Sequence, residues 1–194
     1  MGRRIAVIGA SGNGKTTVAR ALAARFGAPH VELDALHHGP NWSAPSAEEF
    51  RAVVEPHLER DAWVVDGDYT SKLGDLVFER ADTVVWLDQP LPLILWRLWR
   101  RTLRRIRRAE ELWNGNRESW RGAFWGRESL FVWTIRSYFR KRRTLPARLA
   151  RQPQLQVVRL RSTAAVARFL ESIEPEVPGR RAGPPARASA GRAG

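Results

Sequence analysis

Residues Gly9 to Thr16 read GASGNGKT, which meets the spacing G-x-x-x-x-G-K-T with Gly9, Gly14, Lys15 and Thr16 at the four required places. The flanks agree with the motif. "RRIAVIG" carries Ile5, Ala6, Val7 and Ile8, an apolar run of buried-strand type, and "TTVARALAARFG" repeats Val18, Leu22 and Phe26 at a helical interval. Strand, glycine turn and helix in that order make a phosphate-binding loop. The glycines let successive backbone N–H groups converge on phosphate oxygens with no Cβ in the way. The first helical turn adds unpaired N–H groups and the positive end of its dipole. Gly9, Ala10, Ser11, Gly12, Asn13, Gly14, Lys15, Thr16 and Thr17 are therefore the expected ATP-binding residues, with Lys15 reaching the β and γ phosphates and Thr16 placing its hydroxyl on Mg²⁺.

Further along, apolar strands alternate with helical patterns. "GAPHVELDA" gives a turn and a short strand ending at Asp34. Ser46 with Glu49 three residues later forms a capping box after the loop "LHHGPNWSAP". "AWVVDGDY" is a strand ending at Asp66, and "ADTVVWLDQP" another ending at Asp88 and stopped by Pro90. Leu91, Ile94, Leu95, Leu98 and Leu103 share a helical period, with Arg97, Arg101, Arg104 and Arg108 on a different stripe. Residues 109 to 150 read as helical with breaks at Gly115, Gly122 and Gly126, before the strand "LQVVRLRS" and a last helix from Ala164 to Ile173. Such alternation means an α/β fold with a doubly wound parallel sheet and ligands at the carboxyl ends of the strands.

At 194 residues and 43% hydrophobic, the chain can bury one sizeable core, so residues 1–174 are expected to form a single domain. The remaining 175–194, rich in Pro and Gly, are expected to be a disordered tail. Zero cysteines exclude disulfides and thiolate metal sites. No apolar run approaches the roughly 20 residues of a membrane span, and the apolar start is too short for a signal sequence. The expectation is a cytoplasmic protein with no transmembrane segment.

Charge is uneven. Residues 1–89 hold 9 basic and 13 acidic side chains, a net of −4, whereas residues 90–194 hold 24 and 7, a net of +17. Nucleic acid or an anionic membrane would suit the basic half. A ratio of 30 arginines to 3 lysines also points to a chain-wide compositional bias, and phosphoryl transfer itself calls for several arginines.

Among the acids, Asp66 precedes a glycine and is the expected Mg²⁺ ligand, with a turn or cap role for Asp88. Asp34 is placed to accept the proton of an attacking hydroxyl, or else to cap a helix or loop. His37 and His38 are adjacent and point in different directions, so a metal pair is not expected. Trp42 is either a stacking face or a loop anchor.

The stretches "VIGASGNGKTTVARALAARFGAPHVELDALHHGPNW", "WVVDGDY" and "ADTVVWLDQPLPLILWRLWRRTLRR" resemble the adenylate-kinase-related P-loop proteins labelled topology modulation proteins, over about residues 3–173. The resemblance implies a P-loop NTPase fold with five strands in the order 2-3-1-4-5, which sets the Asp66 strand beside the loop strand, and a helical lid insertion at about 100–150. It also implies roles for an R-x-x-x-R pair, Arg97 at the nucleotide base and Arg101 at the phosphates. One departure matters. Nucleoside monophosphate kinases bring arginines to the acceptor phosphate, where this chain has "DALHH" and "DGDYTSK". The expected activity is therefore ATP- and Mg²⁺-dependent phosphoryl transfer to a small-molecule hydroxyl, as in gluconate- or shikimate-type kinases. The alternatives are an adenylate-type kinase and a nucleotide-regulated protein that binds DNA, RNA or a membrane.

Overall fold

The computed structural model describes residues 2–126 and 129–173; the expected tail at 175–194 lies outside the described residues. Strand β1 (Arg4–Gly9) is apolar on both faces, and Ile5 to Ile8 are fully buried, as befits a central parallel strand. It leads through the glycine loop into α1 (Lys15–Phe26). Then come β2 (His30–Glu32), α2 (Leu33–His37), α3 (Ala47–Leu58) and β3 (Trp63–Asp66). Short helices α4 (Thr70–Leu73) and α5 (Leu76–Arg80) precede β4 (Thr83–Leu87). The long α6 (Leu91–Arg107), α7 (Trp120–Phe124) and α8 (Leu130–Ala150) follow, then β5 (Gln156–Leu160) and α9 (Thr163–Ser172).

All five strands are parallel in one sheet of order β2-β3-β1-β4-β5, as the resemblance implied. One face packs Phe50, Val54 and Leu58 of α3, with Phe78, onto Trp63, Val65 and Val84. The other packs Val18 and Leu22 of α1, with Phe169 of α9, onto Val64 and Val85. Two layers of helix thus cover a sheet whose strands are apolar on both sides. The capping box forms: the Glu49 N–H donates to Ser46 Oγ at 3.1 Å, and the Ser46 N–H donates to Glu49 Oε2 at 2.7 Å.

Three sequence expectations need correction. The second strand stops at Glu32, and Asp34 sits in the first turn of α2 rather than at a strand end. A carboxylate there is favoured by the helix dipole, and the alternation "HVELDA" cannot show where pairing ends. On α6 the buried stripe is Ile94, Leu98 and Thr102, which leaves Leu103 half-buried at the outer side. Asp88 is neither a turn nor a cap residue. Its carboxylate, 1% exposed, receives Arg159 Nη2 at 2.6 Å and Nε at 3.0 Å, with Arg142 Nε at 3.2 Å. The Arg159 guanidinium lies 4.0 Å from the Trp86 ring centroid, and the Asp88 N–H donates to Leu160 O, so this residue ties edge strand β5 and helix α8 to β4.

Losing that clamp should cost stability without touching nucleotide binding. Asp88→Asn is expected to lower the urea unfolding free energy by about 1.5–3 kcal/mol, while titration with Mg²⁺–ATP gives an unchanged affinity. A loss of affinity at constant stability would assign Asp88 the metal role in place of Asp66.

Candidate functional site

The loop is held on three sides. Gly12 has φ +82°, and a Cβ there would stand 2.8 Å from the Ile94 carbonyl of α6. Gly14 is the N-cap of α1 at φ 84°, ψ 23°, a left-handed conformation that glycine adopts at no steric cost. The buried Asn13 donates through Nδ2 to Leu87 O of β4 at 2.7 Å. No side chain caps α1, so its first N–H groups lie at the open end of the loop, where an anion is stabilised. The loop residues named from the sequence therefore form the cradle that a nucleotide phosphate would fit. Lys15 folds back within it, Nζ donating to Ala10 O at 3.4 Å.

Both β3 and β4 flank β1, so adjacency alone does not separate Asp66 from Asp88; their partners do. Asp66 pairs in register with Val7, is 3% exposed, and lies near Lys15 and the Thr16 side chain. Burial pushes its carboxyl up, opposed by Lys15 and Thr16. Carboxylate and hydroxyl beside a phosphate cradle fit Mg²⁺, which takes few protein ligands and completes its shell with phosphate and water. Among the described residues no three His, Cys, Asp or Glu side chains converge as a metal site of their own.

A second cluster surrounds Asp34. Tyr69 donates its hydroxyl to Asp34 Oδ1 at 2.6 Å and stands 3.5 Å from His38 Nε2. Burial, then Asp34, pushes the Tyr69 phenol up, so it remains a proton donor. His37 and His38 cross edge to face, yet both rings reach this cluster: His37 tilts onto Tyr69 with centroids 4.4 Å apart, and His38 stacks on Trp113 at 5.6 Å. In a turn at Pro40–Trp42 the main-chain N–H of Trp42 donates to Asn116 Oδ1 at 2.8 Å, while Asn114 donates to His38 O and Asn116 to Gly39 O; the Trp42 ring meets His38 edge to face at 5.3 Å. The turn at Trp113–Gly115, between α6 and α7, is thereby fastened over the acids.

The arginine pair divides. Arg97 donates to Gln89 Oε1 at 2.6 Å and to Thr163 Oγ1 at 2.8 Å, at the carboxyl ends of β4 and β5. Arg101 is no solvated-face residue. It turns inward to Glu118 at 3.8 Å, and burial, then Arg105, lowers its guanidinium pKa while Glu118 and Asp34 oppose the shift.

Sequence reasoning missed Lys141. From α8 its Nζ donates to Gly9 O at 3.2 Å and pairs with Asp68 Oδ2 at 3.1 Å. Burial lowers its pKa, chiefly opposed by Asp68, with Lys15 lowering it further. Burial would raise the Asp68 carboxyl, but Lys141, the Thr70 hydroxyl and Arg148 together hold it below its ordinary value. One signal was available: Lys141 is one of only three lysines in the chain.

Residues 5–65 match the model of the ATPase family associated with various cellular activities (AAA), a stretch from β1 to the residue before Asp66. No curated protein matches the chain. Among solved structures, the shikimate kinase of Acinetobacter baumannii, in complex with shikimate, is 18% identical with a TM-score of 0.55, over 89% of this chain and 91% of that one. The shikimate kinase of Bacteroides thetaiotaomicron is 16% identical with a TM-score of 0.52, over 87% and 96%. The chain has the P-loop kinase fold.

The buried histidines set a pH dependence. Burial first, then His38 and Lys72, lowers His37 to about 4, with Asp34 opposing; burial lowers His38 too. A folded value below the unfolded one of 6.5 means that the unfolded chain takes up the proton more readily, so stability is lost as pH falls from about 6.5 towards 4. His37 alone should contribute about 2 kcal/mol between pH 7 and 5. Urea unfolding at both pH values checks this, with His37→Leu expected to remove that share of the difference.

Proposed function

We propose that the chain is an ATP- and Mg²⁺-dependent phosphotransferase acting on a small-molecule hydroxyl. The observation that carries this reading is the short hydroxyl-to-carboxylate bond between Tyr69 and Asp34, a carboxylate whose charge is felt at Asp66. Asp34 is already placed to accept a hydroxyl proton. The segments that follow the second and third strands, DALHH and DGDYTSK, hold no arginine, which suits a hydroxyl better than a phosphate. The fold neighbours bear names of the same class, and shikimate is itself a hydroxy acid. Within the P-loop kinases we place the chain with the adenylate-kinase-related topology modulation proteins, on the sequence stretches that match them.

Bound ATP with Mg²⁺ supplies the phosphoryl group and neutralises part of its charge. Lys15 and the loop N–H groups would hold the β and γ phosphates, and Thr16 and Asp66 would hold the cation. Asp34 would orient the acceptor hydroxyl and take its proton as the acceptor oxygen bonds to the γ-phosphorus and the bond from that phosphorus to the β–γ bridging oxygen breaks, with ADP leaving. Arg101 neutralises charge near Asp34, and Arg97 takes the base side beside Gln89 and Thr163. The turn at Trp113–Gly115 excludes water when fastened and opens to admit the acceptor.

The test is ADP production with Mg²⁺–ATP and shikimate, gluconate-like hydroxy acids, nucleosides and AMP added one at a time. A hydroxyl acceptor is expected to stimulate turnover, and Asp34→Asn to lower kcat about 10²–10⁴-fold at unchanged ATP affinity. Stimulation by AMP alone would make the chain a nucleoside monophosphate kinase. ATP binding without turnover on any acceptor would remove the kinase reading.

A further inference from the structure

Two lysines meet the phosphate loop, and only Lys15 belongs to its motif. The other, Lys141 of α8, lies 132 residues along the chain from Gly9. Its Nζ donates to Gly9 O at 3.2 Å, as Lys15 Nζ donates to Ala10 O at 3.4 Å, so two ammonium groups stand on adjacent carbonyls of one loop. Each has an acid from the same turn after β3. Asp66 lies near Lys15, and Asp68, two residues on, pairs with Lys141 Nζ at 3.1 Å. One helical turn before Lys141, Tyr138 packs with Ala10 of the loop and Ile94 of α6, which fixes how α8 is seated there. The Lys141 side chain is only 16% exposed.

Its bonding has a place for one more acceptor. An ammonium carries three N–H donors; Gly9 O and Asp68 take two, and among the described residues nothing else accepts from it. Asp68 is itself shared, since Arg148 Nη1 at 3.4 Å and the Thr70 hydroxyl both reach its Oδ1. Burial works against the charge of Lys141, with Asp68 opposing and Lys15 adding to the cost. A neutral amide could make the tie to Gly9 O without burying a charge. A cation kept beside a second cation suits an anion with several oxygens, and a nucleotide phosphate is the anion that such a loop takes. Neighbours point to which phosphate. Asp66, the carboxylate fitted to a cation that bridges β and γ oxygens, is two residues from Asp68, whereas Arg97 bonds to Gln89 and Thr163 beyond the ends of β4 and β5. We propose that Lys141 is a ligand of the terminal phosphate of a bound nucleoside triphosphate, and that Asp68 holds its ammonium in place to receive it. The pair then lets the chain tell a triphosphate from a diphosphate. This inference rests on the nucleotide-binding reading of the loop and not on the identity of the acceptor.

The test is calorimetric titration of the full chain with ADP and with the β,γ-imido analogue of ATP, each with Mg²⁺, in the parent and in Lys141→Gln, with thermal unfolding to check that the variant folds. Lys141→Gln is expected to weaken the triphosphate analogue about tenfold or more and ADP less than about twofold. A lysine that only shapes the loop would weaken both alike; that result, or no change in either, overturns the proposal. The parent chain gives a second readout that needs no variant: the rate at which acetic anhydride labels Lys141, followed by mass spectrometry of its peptides. The saturating triphosphate analogue is expected to slow that labelling severalfold more than saturating ADP, and equal protection by the two overturns the proposal. A parent that binds neither nucleotide would overturn the nucleotide reading itself, and this inference with it.

Discussion

The contact of a glycine with a helix backbone governs this structure. Gly12 lies so close to the Ile94 carbonyl that any side chain would force α6 away, and α6 starts four residues after β4 ends. The amide of Asn13 fastens the same loop to Leu87, the last residue of β4, and Lys141 reaches it from α8 through Gly9 O. The loop is thus a junction where the sheet and both long helices meet. A change that displaces the backbone of α6 at Ile94 is felt where phosphate would lie, because a close-packed backbone contact has no slack to absorb it.

Around that junction the charges are arranged by burial. Asp34, Asp66 and Asp68 stand within ten residues of β2 or β3 ends, but each has a different partner: a phenol, a threonine hydroxyl with a lysine nearby, and a lysine with an arginine. Asp34 works against the charging of Asp66, and burial works against that of Asp66 and Asp68, so each needs its own compensation. The compensation comes from elements far apart in sequence, α1 for Asp66 and α8 for Asp68. The acid cluster therefore requires the complete fold, and in turn fixes how α8 sits.

Much of this was legible in the chain. The loop, its strand and its helix follow from glycine placement and apolar period, and Asp66 from a carboxylate between a buried strand and a glycine. The strand order needed the resemblance, because residue patterns show which segments are strands but not which are neighbours. Asp34 was found with the wrong local structure, since three paired residues of β2 carry too little pattern to mark their end. The Asp88 clamp and the inward turn of Arg101 were out of reach: their partners lie 71 residues away in one case and across a turn in the other. A stripe of arginines on a helix reads as solvated until the element that covers it is known.

The three lysines show how composition can carry site information that pattern does not. In a chain with thirty arginines, Lys15 lies in the loop, Lys141 bonds to Gly9 O and Asp68, and Lys72 donates to Pro45 O and acts on both His37 and His38. All three fall at the candidate site. The physical reason is size and hydration. An ammonium is a compact charge that three acceptors can satisfy in a narrow slot, whereas a guanidinium is a planar fork that needs room for five N–H donors. Arginine serves in buried places too where there is room for its fork, as at Arg148, which reaches both Gly74 O and Asp75; at Gly9 O, between Lys15 and Asp68, it is the compact ammonium of Lys141 that stands.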